Sequence, residues 1–199
     1  SLWTCIILII TTIFFKKLPK FKKIILNRNN LIILFFTSIL ILANWTTWIY
    51  AVSSQRIIDA SYGYFIFPII NVFFGYIFFN EKINNKKFIS IIIVIISSIY
   101  LLFNFESFPW VGILVAFFWS IYNILRKKIN IDTDIGLLIE SLYILPVTLI
   151  CLFLIYDSNY NQFSLSDLKS SILLFLAGPM TVIPLFLYIK GLERAGLGP

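Results

Sequence analysis

An all-α, polytopic membrane helix bundle is the fold class this sequence predicts, and three observations predict it. First, 60% of the 199 residues are hydrophobic and only 13% are charged, with a mean hydropathy of +0.94. A soluble domain is nearer half apolar and a quarter charged, and a globule of this size in water still needs a polar skin. Second, apolar runs recur at close to the ~20 residues with which a helix crosses the hydrocarbon of a bilayer. Third, the Lys and Arg residues gather between alternate runs. The net charge of +7 therefore reads as membrane topology and not as a nucleic-acid surface.

The spans follow in order at residues 1–15, 31–53, 60–79, 88–103, 110–126, 135–156 and 171–190. The first opens at Ser1 inside an apolar run, so the expectation is an internal piece of a longer membrane protein. Residues 88–103, "FISIIIVIISSIYLLF", make a short span that carries no charge. Runs such as "IIIVII" favour strands in water. In lipid a segment must satisfy its own backbone hydrogen bonds, so a helix is predicted there as well.

The charges predict orientation. Residues 16–30, 80–87, 126–134 and 190–194 hold 14 of the 16 Lys and Arg residues, leaving Arg56 and Lys169 for the other side. The positive-inside rule makes those four loops cytoplasmic. A faint repeat fits this sidedness. "YAVSSQRIIDASYG" begins at Tyr50 and "YIKGLERAGLG" at Tyr188, each with an Arg six residues on (Arg56 and Arg194). Five spans separate the copies, and an odd offset inverts the second. Inverted repeats that enclose a binding site near the bilayer midplane are a transporter architecture.

Polar residues at helical spacing mark the candidate site. Asn44, Trp45 and Trp48 share one side of span 31–53. Ser61, Tyr64, Pro68, Asn71 and Gly75 recur every three or four residues in 60–79. Trp119, Tyr122, Asn123 and Arg126 stack in 110–126, and Gly136, Glu140, Tyr143 and Val147 in 135–156. Such stripes lie along one helix face. They are expected to face one another, forming a substrate cavity lined by Asn44, Trp45, Trp48, Ser61, Tyr64, Asn71, Trp119, Tyr122, Asn123 and Tyr143. The blander reading is that Ser, Asn and Gly help helices to pack, for roughly 0.6 kcal/mol each. Trp3, Trp110 and Tyr156, near span ends, are expected as interfacial anchors.

Glu140 is the one acid inside a predicted span. Placing a charge at mid-bilayer costs on the order of 3 kcal/mol, which makes such acids functional candidates. It is expected either to couple protons and balance substrate charge, or to sit in a structural ion pair. Pro68, Pro146 and Pro184, with Pro179, fall within spans, where each removes a backbone hydrogen bond and is expected to kink its helix. In "SSQRIIDAS", residues 53–61, Arg56 and Asp59 are expected to pair in an outward-facing turn exposed to water, for little net energy.

Other functions find less support. Cys5 and Cys151 both lie in apolar runs, so no disulfide framework is indicated, and with no histidine a His-based metal site or triad is excluded. No GxxxxGK[ST], GxGxxG or HExxH motif occurs. No catalytic residue, cofactor or metal ligand is predicted, and the chain is not read as an enzyme. Its expected partners are the lipid bilayer and a small molecule, with protons as the candidate coupling ion and no nucleic acid. The alternative is a membrane-embedded enzyme, or an accessory subunit, acting on lipid-linked substrates. Its acids would be Asp132 and Asp134, the close pair in the predicted loops.

A resemblance adds to this. "NWTTWIYAV", "DASYGYFIFPIINVFFGYIFFNEK", "YNILRKK" and "GLLIESLYILPV" together resemble the RarD-type branch of the drug/metabolite transporter superfamily, built from EamA-like repeats. The resemblance implies ten helices in two inverted five-helix halves. Residues 1–105 would form the first repeat, with helix one missing and helix two truncated. Residues 106–199 would form the second, with its last helices missing. The family's Asn-Trp pair falls on Asn44 and Trp45, its Ser-x-Gly-Tyr-Phe motif on Ser61, Gly63, Tyr64 and Phe65, its Pro and Asn on Pro68 and Asn71, and its Gly-x-x-x-Glu on Gly136 and Glu140. "KGLERAGLGP", residues 190–199, departs from the pattern. The activity implied is that of a permease of a bacterial cytoplasmic (inner) membrane. It would move a small organic metabolite, in the export direction, by gradient-driven alternating access.

Overall fold

The computed structural model describes residues 2–105, 107–129, 131–156 and 168–195. Eight helices follow one another among the described residues: α1 Leu2–Phe14, α2 Leu18–Ile25, α3 Arg28–Ser53, α4 Ile57–Phe79, α5 Asn85–Phe103, α6 Trp110–Lys128, α7 Thr133–Tyr156 and α8 Leu168–Ala195. Among the described residues no strand forms. The predicted spans are helical, and most gain about a turn from their polar flanks. There the side chains can reach past the apolar run while the backbone stays helical.

Two differences are instructive. Residues 16–30 are not all loop. They hold α2, "LPKFKKII", with a proline in its first turn where no N–H is needed. Phe21 and Ile24 pack on the core while Lys20, Lys22 and Lys23 stay exposed. Its lysines dominate the local composition, and eight residues are too few to display a helical period against them. A bend of 117° separates α1 from α2, at Lys16, whose φ of 53° is left-handed. Second, among the described residues five helices are long and apolar enough to cross a membrane, or six if the bent α1–α2 pair is one span. α6, although predicted as a span, falls outside this group. Ser120, Tyr122, Asn123 and its terminal Arg126–Lys128 dilute it, and the first three of these are buried against protein.

The chain divides into two compact units, Ser1–Ser38 with Ile129–Lys190, and Ile39–Lys128 with Gly191–Pro199. In the first, α1 packs on α7, and Leu34, Ile129, Ile131, Ile135 and Ile139 form the core. Lys17 Nζ donates to Asp134 at 2.6 Å and Lys20 Nζ to Asp132 at 2.8 Å. The hydrogen bond and charge of Asp132 hold the Lys20 ammonium above its ordinary range.

In the second unit α4 and α6 cross with their backbones touching. A Cβ on Gly63 would stand 2.5 Å from the Gly112 oxygen, and one on Gly112 would stand 2.2 Å from the Asp59 oxygen. Only glycine permits so close an approach. α5 is fastened to α4 by the Tyr62 hydroxyl, which donates to the Ser98 carbonyl at 2.9 Å. At the other end of α4, Asn80 takes a left-handed φ of 51°, which lets the Glu81 N–H donate to the Gly75 carbonyl at 3.1 Å. Beside it Lys127 pairs with Glu81 and lies over the Phe79 ring.

The Arg56–Asp59 turn is more than an exposed pair. α4 begins at Ile57, so Asp59 sits in its first turn and is only 7% exposed. Arg56 Nε donates to Asp59 at 2.7 Å, Nη2 donates to Ser107 Oγ at 3.3 Å and to the Phe108 carbonyl at 3.4 Å, and the guanidinium lies over Trp110. Arg56 therefore ties the start of α4 to the α5–α6 connection.

Candidate functional site

Nine of the residues expected in the cavity lie in the second unit, and the structure brings several together in pairs. Asn44, buried on α3, donates its amide to the Val115 carbonyl of α6 at 3.1 Å. Asn123 of α6 and Asn71 of α4, both buried, meet at 3.5 Å, the donor being Asn123 Nδ2. Trp48 of α3 lies 5.8 Å from the Tyr64 ring of α4, and Trp119 stacks on Tyr122, one turn along α6, at 5.3 Å. Tyr122 is fully buried, and Trp45 and Trp119 are partly so.

Two residues behave differently. Tyr64 is 55% exposed. Ser61 turns back to its own helix, its hydroxyl donating to the Ile57 carbonyl at 2.8 Å. Pro68, Pro146 and Pro184, with Pro179, all lie inside helices that continue through them.

Glu140 and Tyr143 belong to the first unit. Glu140 is 2% exposed. Its Oε1 accepts a hydrogen bond from Thr37 Oγ1 at 2.7 Å, and Thr37 is itself fully buried. Tyr143, one turn further along α7, meets Phe35 edge-on at 5.4 Å. A buried carboxyl with a hydroxyl donor and an aromatic wall beside it can take up a proton or balance a cation. Thr37 was not singled out by sequence, yet the signal exists: the Asn44–Trp48 stripe, carried back two turns, passes Ile41 and lands on Thr37, and both are buried. Ser120 was overlooked too. It is fully buried one turn before Asn123.

Asp132 and Asp134, the acids on which a membrane-enzyme reading depends, are held by Lys20 and Lys17. Among the described residues no group of three or more His, Cys, Asp and Glu could hold a metal ion.

The profile of the EamA-like transporter family matches residues 1–103, about half of the chain. The chain belongs to the EamA-like transporter family. It is of the RarD type: the RarD protein of Escherichia coli K12 is 30% identical over 196 residues, which cover 98% of this chain and 66% of that relative. The Salmonella typhi RarD protein is 32% identical over 176 residues, 88% of this chain and 60% of the relative. A Bacillus subtilis protein named as an uncharacterized transporter, YojE, is 34% identical over 164 residues, 82% and 54%. The chain thus spans less than two thirds of the length of these curated relatives. No solved structure matches it. Its apolar helices and its membership in the EamA family make it an integral membrane protein.

Proposed function

We propose that the whole protein carries a small organic molecule across the cytoplasmic membrane by alternating access, in the export direction and driven by a gradient. The observation that supports this best is the buried amide pair Asn71–Asn123 between α4 and α6, on helices that also carry the ring pairs Trp119–Tyr122 and Trp48–Tyr64. Amides buried in otherwise apolar helices suit an amphipathic solute, because they can exchange one another for its polar groups while the rings cover its apolar face. In this reading Glu140 couples protons or balances the charge of the solute, Pro68, Pro146 and Pro184 let their helices flex, and residues 1–105 and 106–199 are oppositely oriented repeats. The basic segments 16–30, 80–87, 126–134 and 190–194 face the cytoplasm.

The experiment is a thermal-shift screen of the full-length protein against amino acids, nucleosides and amphenicols, followed by transport of any stabilising compound in proteoliposomes. Asn123→Leu is expected to slow transport at least tenfold, the loss from one interaction of about 1.4 kcal/mol. Glu140→Gln is expected to remove the response to an imposed pH gradient. Wild-type rates for Asn123→Leu would refute the proposed path, and an unchanged pH response in Glu140→Gln would refute the coupling role.

A further inference from the structure

α2 carries more apolar surface than it buries. Leu18, Phe21 and Ile25 recur at i, i+3 and i+7, with Ile24 beside them, along one face of the helix. Phe21 and Ile24 pack on the core, but Leu18 and Ile25 stay exposed, and Leu26, which caps the helix, is 85% exposed. The remaining face is basic. Lys17 and Lys20 are taken by Asp134 and Asp132. The side chains of Lys22, Lys23 and Arg28 are exposed and make no ion pair or hydrogen bond. Lys23, Leu26, Asn27, Arg28 and Asn29 line an open hollow of about 410 Å³ at the turn into α3. The 117° bend after α1 is little more than a right angle, so beside a membrane-crossing α1 the helix α2 lies close to the membrane plane.

We infer that α2 rests in the membrane interface and that the hollow at its end holds an anionic phospholipid, its phosphate between Lys23 and Arg28 and Leu26 against its acyl chain. Charge and apolar surface together select the occupant. A short helix with an oily side and a basic side is the pattern that lies along a bilayer, its apolar residues at the acyl boundary and its cations among the phosphates. The two acids nearest in the fold, Asp132 and Asp134, already have lysine partners, so the neutralising charge for Lys22, Lys23 and Arg28 comes from outside the unit. A soluble anion would meet the cations but leave Leu18, Ile25 and Leu26 in water. A second copy of the chain would bring the same three cations against these. A zwitterionic head would carry its own ammonium to them. A lipid bound here pins the turn between α2 and α3 at the depth of the headgroups. The site lies within the first unit, apart from the amide pair, and does not depend on the proposed transport activity.

The test titrates the full-length protein in a neutral detergent with phosphatidylglycerol or with phosphatidylcholine of equal chain length, read by native mass spectrometry and thermal unfolding. Phosphatidylglycerol is expected to bind more tightly and to raise the melting temperature more. Each cation near an anionic head is worth about fivefold in affinity, so Lys23→Gln with Arg28→Gln is expected to weaken its binding about thirtyfold. Both side chains are exposed, so this variant is expected to melt as the wild type does in phosphatidylcholine. Lys82→Gln with Lys86→Gln removes equal charge from exposed positions around the start of α5 and is expected to leave the preference intact. In nanodiscs of the unaltered protein, the amides of residues 18–26 are expected to exchange more slowly with phosphatidylglycerol present than in phosphatidylcholine alone. Equal affinity for the two lipids, wild-type binding by the Lys23–Arg28 variant or equal loss in the Lys82–Lys86 variant would overturn the inference. So would unchanged exchange in α2, the same protection by inorganic phosphate, or a dimer that the Lys23 and Arg28 substitutions abolish.

Discussion

Replacing Gly112 by alanine tests the α4–α6 crossing on which the amide pair depends. The added methyl would stand 2.2 Å from the Asp59 carbonyl oxygen and 2.9 Å from the Gly63 nitrogen, where ordinary contact begins at 3.4 Å. Both obstacles are backbone, so no side chain can swing aside, and the helices must part by roughly 1 Å at this point. Overpacking of this kind costs about 1–3 kcal/mol, with the upper end expected where nothing can yield. Parting also removes the Asn71–Asn123 contact, already at 3.5 Å, for a further ~0.6 kcal/mol. For a protein of this length, about 3 kcal/mol corresponds to a fall of roughly 6–12 °C in melting temperature. Thermal unfolding of the purified protein in detergent, followed by intrinsic tryptophan fluorescence, measures it. Gly191→Ala is the control. A Cβ there meets nothing within 4 Å, and alanine in place of a helical glycine gains up to about 1 kcal/mol. If Gly112→Ala melts no lower than Gly191→Ala, the two backbones do not touch and the crossing is wrong.

Two other substitutions probe the remaining contacts. Thr37→Val keeps the shape of a fully buried side chain but removes the donor to Glu140. It is expected to cost about 1–3 kcal/mol, read in the same melting assay, and an unchanged melting temperature would show that Glu140 does not use this hydroxyl. Tyr62→Phe removes the bond to the Ser98 carbonyl for about 0.5–1.5 kcal/mol. Faster amide exchange should then be confined to α5 and its connection to α6, and uniform exchange throughout the protein would refute the account of how α5 is fastened.

The membrane-spanning helices were legible because hydrocarbon imposes one strong rule on them: backbone groups must be satisfied within the segment, whatever the side-chain propensity. Even the β-branched run 91–96 obeys it. α2 escaped because eight residues that pack Phe21 and Ile24 on the core while exposing three lysines are too few to display a period. The stripes of polar residues were visible as faces, but a face does not reveal its partner. Whether Asn44 points at a solute or at a carbonyl is decided by how closely α3 meets α6 at Val115, and the close α4–α6 crossing is made by Gly112 and Gly63, which have no side chain to advertise it. The same holds for Asp59. A short-range pairing with Arg56 is readable from spacing, but the further bonds of Arg56 to Ser107 and Phe108, some fifty residues away, are not.

The glycine crossing bears on how the chain enters the bilayer in the first place. α6 is the long helix that lipid has least reason to accept, since its inner surface presents hydroxyl, amide and guanidinium groups. α4 is synthesised first and carries at Gly63 a notch against which that surface fits. A late-arriving polar helix can therefore trade translocon water directly for a protein neighbour, and the hydrocarbon need never solvate Asn123.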